Sequence, residues 1–588
     1  MTAIDDFADD LLYLMLSLSP DLAAEMGLDA VGARALPKDT VLDFSDEASA
    51  ARTAMMAERA VALARMDSAG LSGEDALTRR ILHYLLEDGL FWIFRGRSGH
   101  RFLDNPYPVN HLTGYHPLIL MMLTRDQVVR TIADAEAYLA RLSALPAAIS
   151  GVTDTLRAHL AGKILAPRFS LVRALADMRS FVSPQAEANI LVSSFETKLT
   201  AAGLDNAGRA RLAADAAKIV AGEIVPAYQR LIAATQDAID ATAEERGAWS
   251  LPDGEAYYDW LLRGHTTSDL TAVTAHETGM EEIARVQDEI RAGFASLGIR
   301  GDGMGELFAQ ITDAPRFRYS KTKDGRAELW SHATQLMNRF ESGAAALFHA
   351  RPRGALQLVE VPAELEDSMH THYTPPSVDG ARPGRFSLNV KSALANPRWE
   401  LATLCAHEGS PGHHIQLALA QELPLGSAFR RTIVFNAYIE GWAKYAETIP
   451  ETFGMLDDPY ARLGRLRAEL YSTVNLAMDT GIHAKRWTRG KAREFFRVNT
   501  GVAEEFADAI VDRSFVTPGQ LCSYKIGMMS FLGARDNFRK ARGAHFDIRE
   551  FHDCVLRHGA LPLRLLDDVV TSTIRTNARQ SFAATGSA

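Results

Sequence analysis

Cysteine is scarce in this chain, whose 588 residues include three: Cys405, Cys522 and Cys554. Three widely separated cysteines exclude a disulfide framework and a cysteine-ligated zinc site, and they fit a reducing compartment. The 42 glycines and 23 prolines are too few for a collagen-like or linker-dominated chain. The net charge is −10 and the basic residues form no long run, which argues against nucleic acid as a partner.

Long apolar runs are also missing. The longest, Pro117 to Leu123, is far shorter than the roughly 20 residues that span a bilayer. The first ten residues are acidic, so the apolar run from Leu11 to Leu18 does not resemble a signal peptide. With the cysteine count, these features predict a soluble cytoplasmic protein that has no membrane partner.

The chain is instead rich in amphipathic helix. Hydrophobic residues make up 47% of it, and apolar positions recur at helical spacing through most of its length, for example at about 270–297 and 459–485. The pattern changes at 356–361 and 386–390, which read as short strands around a proline- and glycine-rich loop. Asn396 and Pro397 then predict the start of another helix. We therefore expect a mainly α-helical protein with a small β-sheet beside that helix.

The helix after the second strand carries a motif with chemical meaning. His407-Glu408, followed closely by further histidines, is the skeleton of a helical zinc hydrolase site. In such a site two neutral imidazoles bind the metal, and the adjacent glutamate accepts a proton from water. A second pair, His276-Glu277, has no later histidine and is interpreted as helix surface.

The spacing of the histidines requires a break in the helix. His413 and His414 follow His407 by six and seven positions, which in an unbroken helix is roughly 9–10.5 Å along the axis. Two bonds of about 2 Å to one ion cannot cover that distance. Pro411 and Gly412 supply the break, since proline interrupts a helix and glycine tolerates unusual dihedrals. A two-residue bulge brings His413 to the one-turn position and a three-residue bulge brings His414; we favour His413.

A third ligand is expected from a second helix. Glu440 follows His407 by 33 positions, enough for one helix, a turn and a return. Gly441 would allow that helix to approach closely. Glu447, two turns further on, is an alternative ligand or a hydrogen-bond partner for a histidine N–H.

Together these motifs resemble a known family. His407-Glu-x-x-Pro-Gly-His-His-x-Gln416 and Glu440-Gly-Trp-Ala-x-Tyr-x-Glu447 are similar to segments of the bacterial domain-of-unknown-function-885 family. The likeness covers most of the chain and includes four further segments, Tyr373–Gly380, Asp479–His483, Pro518–Gly527 and Phe551–Leu563. It implies a distant relation to helical zinc peptidases such as carboxypeptidase Taq, thimet oligopeptidase and the angiotensin-converting enzymes.

The resemblance also suggests roles around the metal. An extended peptide would add along the strand 386–390, with Asn389 as a substrate-binding residue. Tyr524 and His483 are candidate catalytic donors to the oxyanion, with Tyr524 the first choice. Arg513 is a further candidate donor. Arg513 and Lys525 could also pair with a substrate carboxylate.

The combined prediction is a two-lobed, metallopeptidase-like helical protein. An N-terminal lobe, 1–345, would shape a cleft, and a C-terminal lobe, 346–588, would bind one Zn²⁺, with segments of the two lobes interleaved along the chain. The reaction is hydrolysis of a peptide or similar amide bond, with zinc preferred over manganese or cobalt from the ligand types. Two alternatives stay open: a hydrolase of non-peptide amides, and a non-catalytic helical binding protein with a degenerate metal site. The sequence leaves substrate identity and oligomeric state undetermined.

Overall fold

Helices dominate the computed structural model of the chain. It describes residues 2–43, 45–71, 73–87, 107–242, 246–312, 314–361, 366, 371–377, 382–395 and 397–585. The helices of the N-terminal half are α1 Ala3–Leu18, α2 Pro20–Met26, α3 Asp46–Arg65, α4 Gly73–Glu87, α5 Tyr115–Met121, α6 Ile132–Gly162, α7 Arg168–Val182, α8 Ile190–Ala201, α9 Asn206–Ile219, α10 Val225–Ala241 and α11 Gly254–Thr266.

The C-terminal half continues in the same style. Its helices are α12 Ala272–Ser296, α13 Met304–Thr312, α14 Lys323–Ala344, α15 Val390–Ala395, α16 Leu401–Glu408, α17 Leu419–Glu422, α18 Ala428–Thr432, α19 Asn436–Ala446, α20 Ile449–Thr452, α21 Pro459–His483, α22 Arg489–Thr500, α23 Glu504–Val516, α24 Cys522–Arg542, α25 Ile548–Leu556 and α26 Leu563–Thr585. The predicted helices 270–297 and 459–485 are confirmed as α12 and α21. The mainly α-helical fold class is confirmed as well.

Two small sheets interrupt the helices in the described residues. A short hairpin pairs β1 Ala30–Val31 with β2 Arg34–Ala35. A three-stranded sheet contains β3 Leu356–Glu360, β4 His372–Thr374 and β5 Gly384–Leu388, in the order β3-β5-β4. β5 runs parallel to β3 and antiparallel to β4.

The order of this sheet corrects one expectation. The strand predicted at 386–390 is β5, and it occupies the centre of the sheet because β3 and β4 pair with it on either side. Its backbone donors and acceptors are used by those neighbours, so it cannot be the free edge along which a peptide adds. The edge strands are β3 and β4.

The chain divides into two compact units. The first comprises residues 1–258 with 426–429 and 512–518, and the second comprises 259–425, 430–511 and 519–588. This division differs from lobes of 1–345 and 346–588, since α12 packs along α21 within the second unit. All of the predicted metal ligands belong to the second unit.

Close helix contacts in the second unit depend on glycine. Gly441 of α19 faces Gly527 of α24, where a Cβ on Gly441 would lie 2.4 Å from Gly527 backbone atoms. A Cβ on Gly527 would lie 2.0 Å from the Ala437 carbonyl oxygen. The predicted close approach of the helix at Gly441 is therefore observed, with α24 as the partner helix.

Gly527→Ala is expected to lower the free energy of unfolding by about 3 kcal/mol, because the two backbones must separate to admit a methyl group. Gly533→Ala in the same helix is the control, since nothing lies within 4 Å of its Cβ position. That change is expected to stabilise the protein by about 1 kcal/mol through helix propensity. Denaturant unfolding of both variants checks the prediction, and equal effects would contradict it.

Candidate metal centre

The helix that bears His407 and Glu408 is broken where the sequence predicted. α16 ends at Glu408, residues 409–412 form a turn, and helical structure resumes at His413. A π-helical turn, His414–Ala418, follows. Asn396, the predicted N-cap, lies outside the described residues, and Pro397 precedes a 3₁₀ turn that leads into α16.

The turn brings the first two predicted ligands together. The ring centroids of His407 and His413 are 4.8 Å apart and the rings are nearly perpendicular, at 87°. Gly412 is essential to this path, because a Cβ there would lie 2.0 Å from the His407 carbonyl oxygen. Because of the break after Glu408, the two imidazoles lie much closer than the roughly 9 Å that six residues of unbroken helix would span.

Glu440 completes a cluster of three possible ligands. Its Oε2 lies 3.6 Å from His407 Nε2 and 3.7 Å from His413 Nε2. One ligand atom from each of these residues falls within 4.8 Å of the others. Among the described residues, this is the one group of three or more such side chains close enough to share an ion.

His414, the alternative second ligand, points to a different neighbour. Its Nδ1 lies 3.0 Å from the hydroxyl of Tyr373, on the edge strand β4. The Tyr373 ring also stacks on His413, with centroids 6.4 Å apart and an angle of 22°. β4 therefore borders both histidines, and His413 rather than His414 lies with His407 and Glu440.

A buried pair of charges orients His407. Glu447 Oε1 accepts from His407 Nδ1 at 2.9 Å, and Lys444 Nζ donates to Glu447 Oε2 at 2.6 Å. Lys444 and Glu447 are 4% and 5% exposed. Because an ionised carboxylate can only accept, Nδ1 carries a proton, and Nε2 is the ring nitrogen that faces Glu440.

Trp442 ties the turn to the helix that carries Glu440. Its indole Nε1 donates to the carbonyl oxygens of Pro411, at 3.0 Å, and Gly412, at 3.2 Å. The Trp442 side chain is fully buried. α19 therefore supplies one candidate ligand and also fixes the turn that precedes another.

Burial and neighbouring charges set the protonation of the cluster. Burial raises the pKa of the Glu408 carboxyl to about 7. The charge of His407 acts against this rise, and the Glu440 carboxylate adds to it. Burial by itself would lower the pKa of His407. The carboxylates of Glu440 and Glu447 have the larger effect and raise that pKa to about 10. Burial lowers the pKa of His413 to about 4. The backbone N–H of Tyr373 also donates to Glu408.

Two predicted substrate-binding residues are engaged in other contacts. Lys525 is 1% exposed, and its Nζ lies 2.8 Å from both Glu282 Oε2 and Glu469 Oε1. Asn389 is 2% exposed and begins α15, where its Oδ1 accepts from the backbone N–H of Ser392 at 2.8 Å. These contacts give both residues a clear structural role.

The remaining candidates stay predictions. His483 is the buried last residue of α21, and Tyr524 is half-buried in the first turn of α24. Arg513 lies in α23, in the part of that helix that belongs to the first compact unit.

Sequence reasoning missed three residues that shape the site. Lys444 precedes Glu447 by three positions, and that spacing on one helix face is a recognisable signal for an ion pair. Tyr373 and Trp442 lie inside the family-like motifs, but nothing in a single sequence shows that they contact the histidine segment. Their roles depend on a fold that brings distant segments together.

The chain is similar to known proteins in sequence and in fold. A family model described as "Bacterial protein of unknown function (DUF885)" matches residues 20–570. The chain belongs to the DUF885 family. No curated protein shows a match to it.

Two solved structures share the fold of this DUF885 chain. A candidate lipoprotein from Colwellia psychrerythraea matches with a TM-score of 0.91 and 27% identity, covering 97% of this chain and 99% of its own. A candidate lipoprotein of unknown function from Shewanella oneidensis has a TM-score of 0.70 and 16% identity, and the match covers 97% of this chain and 100% of its own. This likeness shows a shared fold alone. A candidate oligoendopeptidase F from Bacillus anthracis str. Ames has a TM-score of 0.31 and 11% identity, covering 90% and 96%, too low to support an inference.

The comparisons correct the predicted location. The prediction of a cytoplasmic protein is wrong, since the two structures that share the fold are both candidate lipoproteins. The argument from cysteine failed because a chain with a large apolar core does not need disulfides in any compartment. Within the described residues, no helix combines the length and the apolar character needed to cross a membrane.

Proposed function

We propose that this DUF885 protein is a zinc-dependent hydrolase that cleaves a peptide or peptide-like amide bond. The observation that carries the proposal is the spacing of three atoms: His407 Nε2 and His413 Nε2, each 3.6–3.7 Å from Glu440 Oε2. These separations are too long for hydrogen bonds. They are close to the roughly 3.4 Å between two ligands that each bind a tetrahedral ion at about 2.1 Å.

The ligand types support zinc. Two imidazoles with one carboxylate form the ligand set of many catalytic zinc sites, which keep a fourth position for water or substrate. His407, His413 and Glu440 would hold one ion per chain. When bound, Zn²⁺ supplies Lewis acidity that polarises the scissile carbonyl and makes water more acidic.

Glu408 is the proposed general base. Its carboxylate lies beside His407 on α16, and burial raises its pKa to about 7, so it can accept a proton at neutral pH. The same carboxyl group then delivers that proton to the leaving amine. Glu447 and Lys444 orient His407 so that Nε2 faces Glu440, and a metal ion bound there would displace the Nε2 proton.

Metal removal tests the proposal directly. We expect a mixed peptide library to be cleaved by protein that contains one zinc ion per chain, measured by mass spectrometry of both products and metal. Dialysis against a chelator is expected to abolish cleavage, and one equivalent of Zn²⁺ to restore it. Full cleavage by protein shown to be metal-free would contradict the proposal.

Lys444→Met is expected to weaken zinc binding by about 10-fold, because Glu447 loses the donor that fixes its carboxylate against His407. Competition with a chelating zinc indicator measures this change. Lys540→Met, at an exposed position of α24, is the control and is expected to bind zinc as wild type does. Equal zinc affinities for the two variants would show that Lys444 does not act on the site.

A further inference from the structure

A cavity of about 270 Å³ lies between α16 and α21 and reaches the proposed catalytic residues. His407, Glu408 and Glu447 line one end of it. Glu400 lines the other end, about 10 Å away by the rise of a helix over seven residues. The cavity therefore extends from His407 and Glu408 along the N-terminal part of their helix.

The walls between these ends are largely hydrocarbon. They are formed by Pro397, Leu401, Leu404, Ala468, Tyr319 and Tyr471. Two of the three lining residues of α21 are small: Gly464, whose Cβ position is already filled by the Trp399 carbonyl, and Ala468 one turn later; the third is Tyr471. These small residues leave the space open, and nothing along the walls offers a full charge to a ligand.

The charge at the far end is already neutralised. Arg467 Nη1 donates to Glu400 Oε1 at 2.8 Å. The Arg467 guanidinium is held over three rings, with centroids at 4.6 Å for Phe308 and 5.5 Å for both Trp399 and Tyr471. A cationic ligand group would have to displace Arg467, and an anionic group would meet Glu400. Both cost more than burying an apolar group.

We propose that this cavity binds an apolar side chain, aromatic or branched aliphatic, of the substrate residue that flanks the scissile bond. This inference rests on the proposed hydrolase function and names its substrate class as peptides or amides with such a residue at that position. When such a side chain binds, water leaves the hydrocarbon walls. The preference among substrates is therefore expected to rise with the apolar area that the side chain buries.

Cleavage of a peptide library tests the inference. With one position next to the cleaved bond varied, kcat/KM is expected to be at least about 10-fold higher for phenylalanine or leucine than for lysine or aspartate. Ala468→Leu fills the cavity and is expected to lower kcat/KM for the phenylalanine peptide about 10-fold, with a much smaller effect on the alanine peptide. Ala292→Leu, at an exposed position of α12, is the matched control and is expected to leave both unchanged.

Binding provides a second measurement that does not need turnover. N-acetyl-phenylalanine amide is expected to bind Glu408→Gln protein more tightly than N-acetyl-lysine amide in calorimetry, and Ala468→Leu in that background is expected to remove the difference. Thermal melting of each variant identifies any that fails to fold. Leu404→Ala, which enlarges the cavity, then serves as the second variant and is expected to favour larger side chains such as naphthylalanine.

The outcomes separate this inference from the function on which it rests. Hydrolysis that requires zinc and Glu408 but shows no apolar preference would overturn the cavity assignment alone. An equal loss of kcat/KM for all peptides in the Ala468→Leu variant would also overturn the cavity assignment. If no peptide is cleaved, the hydrolase proposal fails. Equal binding of the phenylalanine and lysine amides in calorimetry would overturn the cavity assignment, whether or not any peptide is cleaved.

Discussion

Replacing Glu408 with glutamine is expected to lower kcat for peptide hydrolysis by about 10³-fold, while the protein still binds one zinc ion per chain. Glutamine keeps the size of the side chain and can still accept from the Tyr373 backbone N–H, but it cannot take up a proton. Steady-state kinetics, with metal content measured on the same samples, checks both parts of the expectation.

The chain contains a natural control for this experiment. His276-Glu277 repeats the His-Glu pair on α12, and Glu277 is exposed. Glu277→Gln is expected to leave kcat unchanged. Wild-type kcat in a zinc-loaded Glu408→Gln protein would remove Glu408 as the general base, whatever the metal content.

The second large effect is expected at two adjacent histidines. His413→Ala removes one of three proposed ligands and is expected to lower zinc affinity by about 10³-fold and to abolish hydrolysis. His414→Ala is expected to retain stoichiometric zinc, because the His414 imidazole lies against the Tyr373 hydroxyl rather than Glu440. Its cost is the loss of two hydrogen bonds, to the Tyr373 hydroxyl and the Gly354 backbone, at about 1 kcal/mol of stability each.

Zinc titration of both variants distinguishes the two histidines. The pair controls for general disturbance of the turn, since both changes remove an imidazole from the same segment. Zinc loss in His414→Ala with retention in His413→Ala would reverse the ligand assignment. Retention in both would remove the three-ligand site.

Local chemistry explains why much of the site could be predicted. Pro411 and Gly412 interrupt a helix through their own backbone properties, so the break after Glu408 follows from the sequence. Gly441 next to Glu440 indicated a close helix contact for the same reason. The choice between His413 and His414 depends on where helical structure resumes, which is fixed by contacts with Tyr373 and Trp442.

Non-local contacts explain the features that could not be predicted. The strand β5 looked like an edge because its pattern does not show that β3 and β4 pair on both sides. Lys525 looked available to a substrate because its carboxylate partners, Glu282 and Glu469, are distant in sequence. A single sequence reports the character of a side chain, whereas its partners depend on how the helices pack.

The hydrogen bonds from Trp442 to the turn carry a consequence for metal supply. They join the segment before His413 to the helix of Glu440 through protein atoms alone, so no metal ion is needed to hold that turn against α19. Small zinc domains, by contrast, unfold when the metal is withdrawn. Under the proposed zinc-dependent mechanism, a shortage of zinc is therefore expected to stop activity without exposing the interior of the protein to proteases, and activity is expected to return when the ion does.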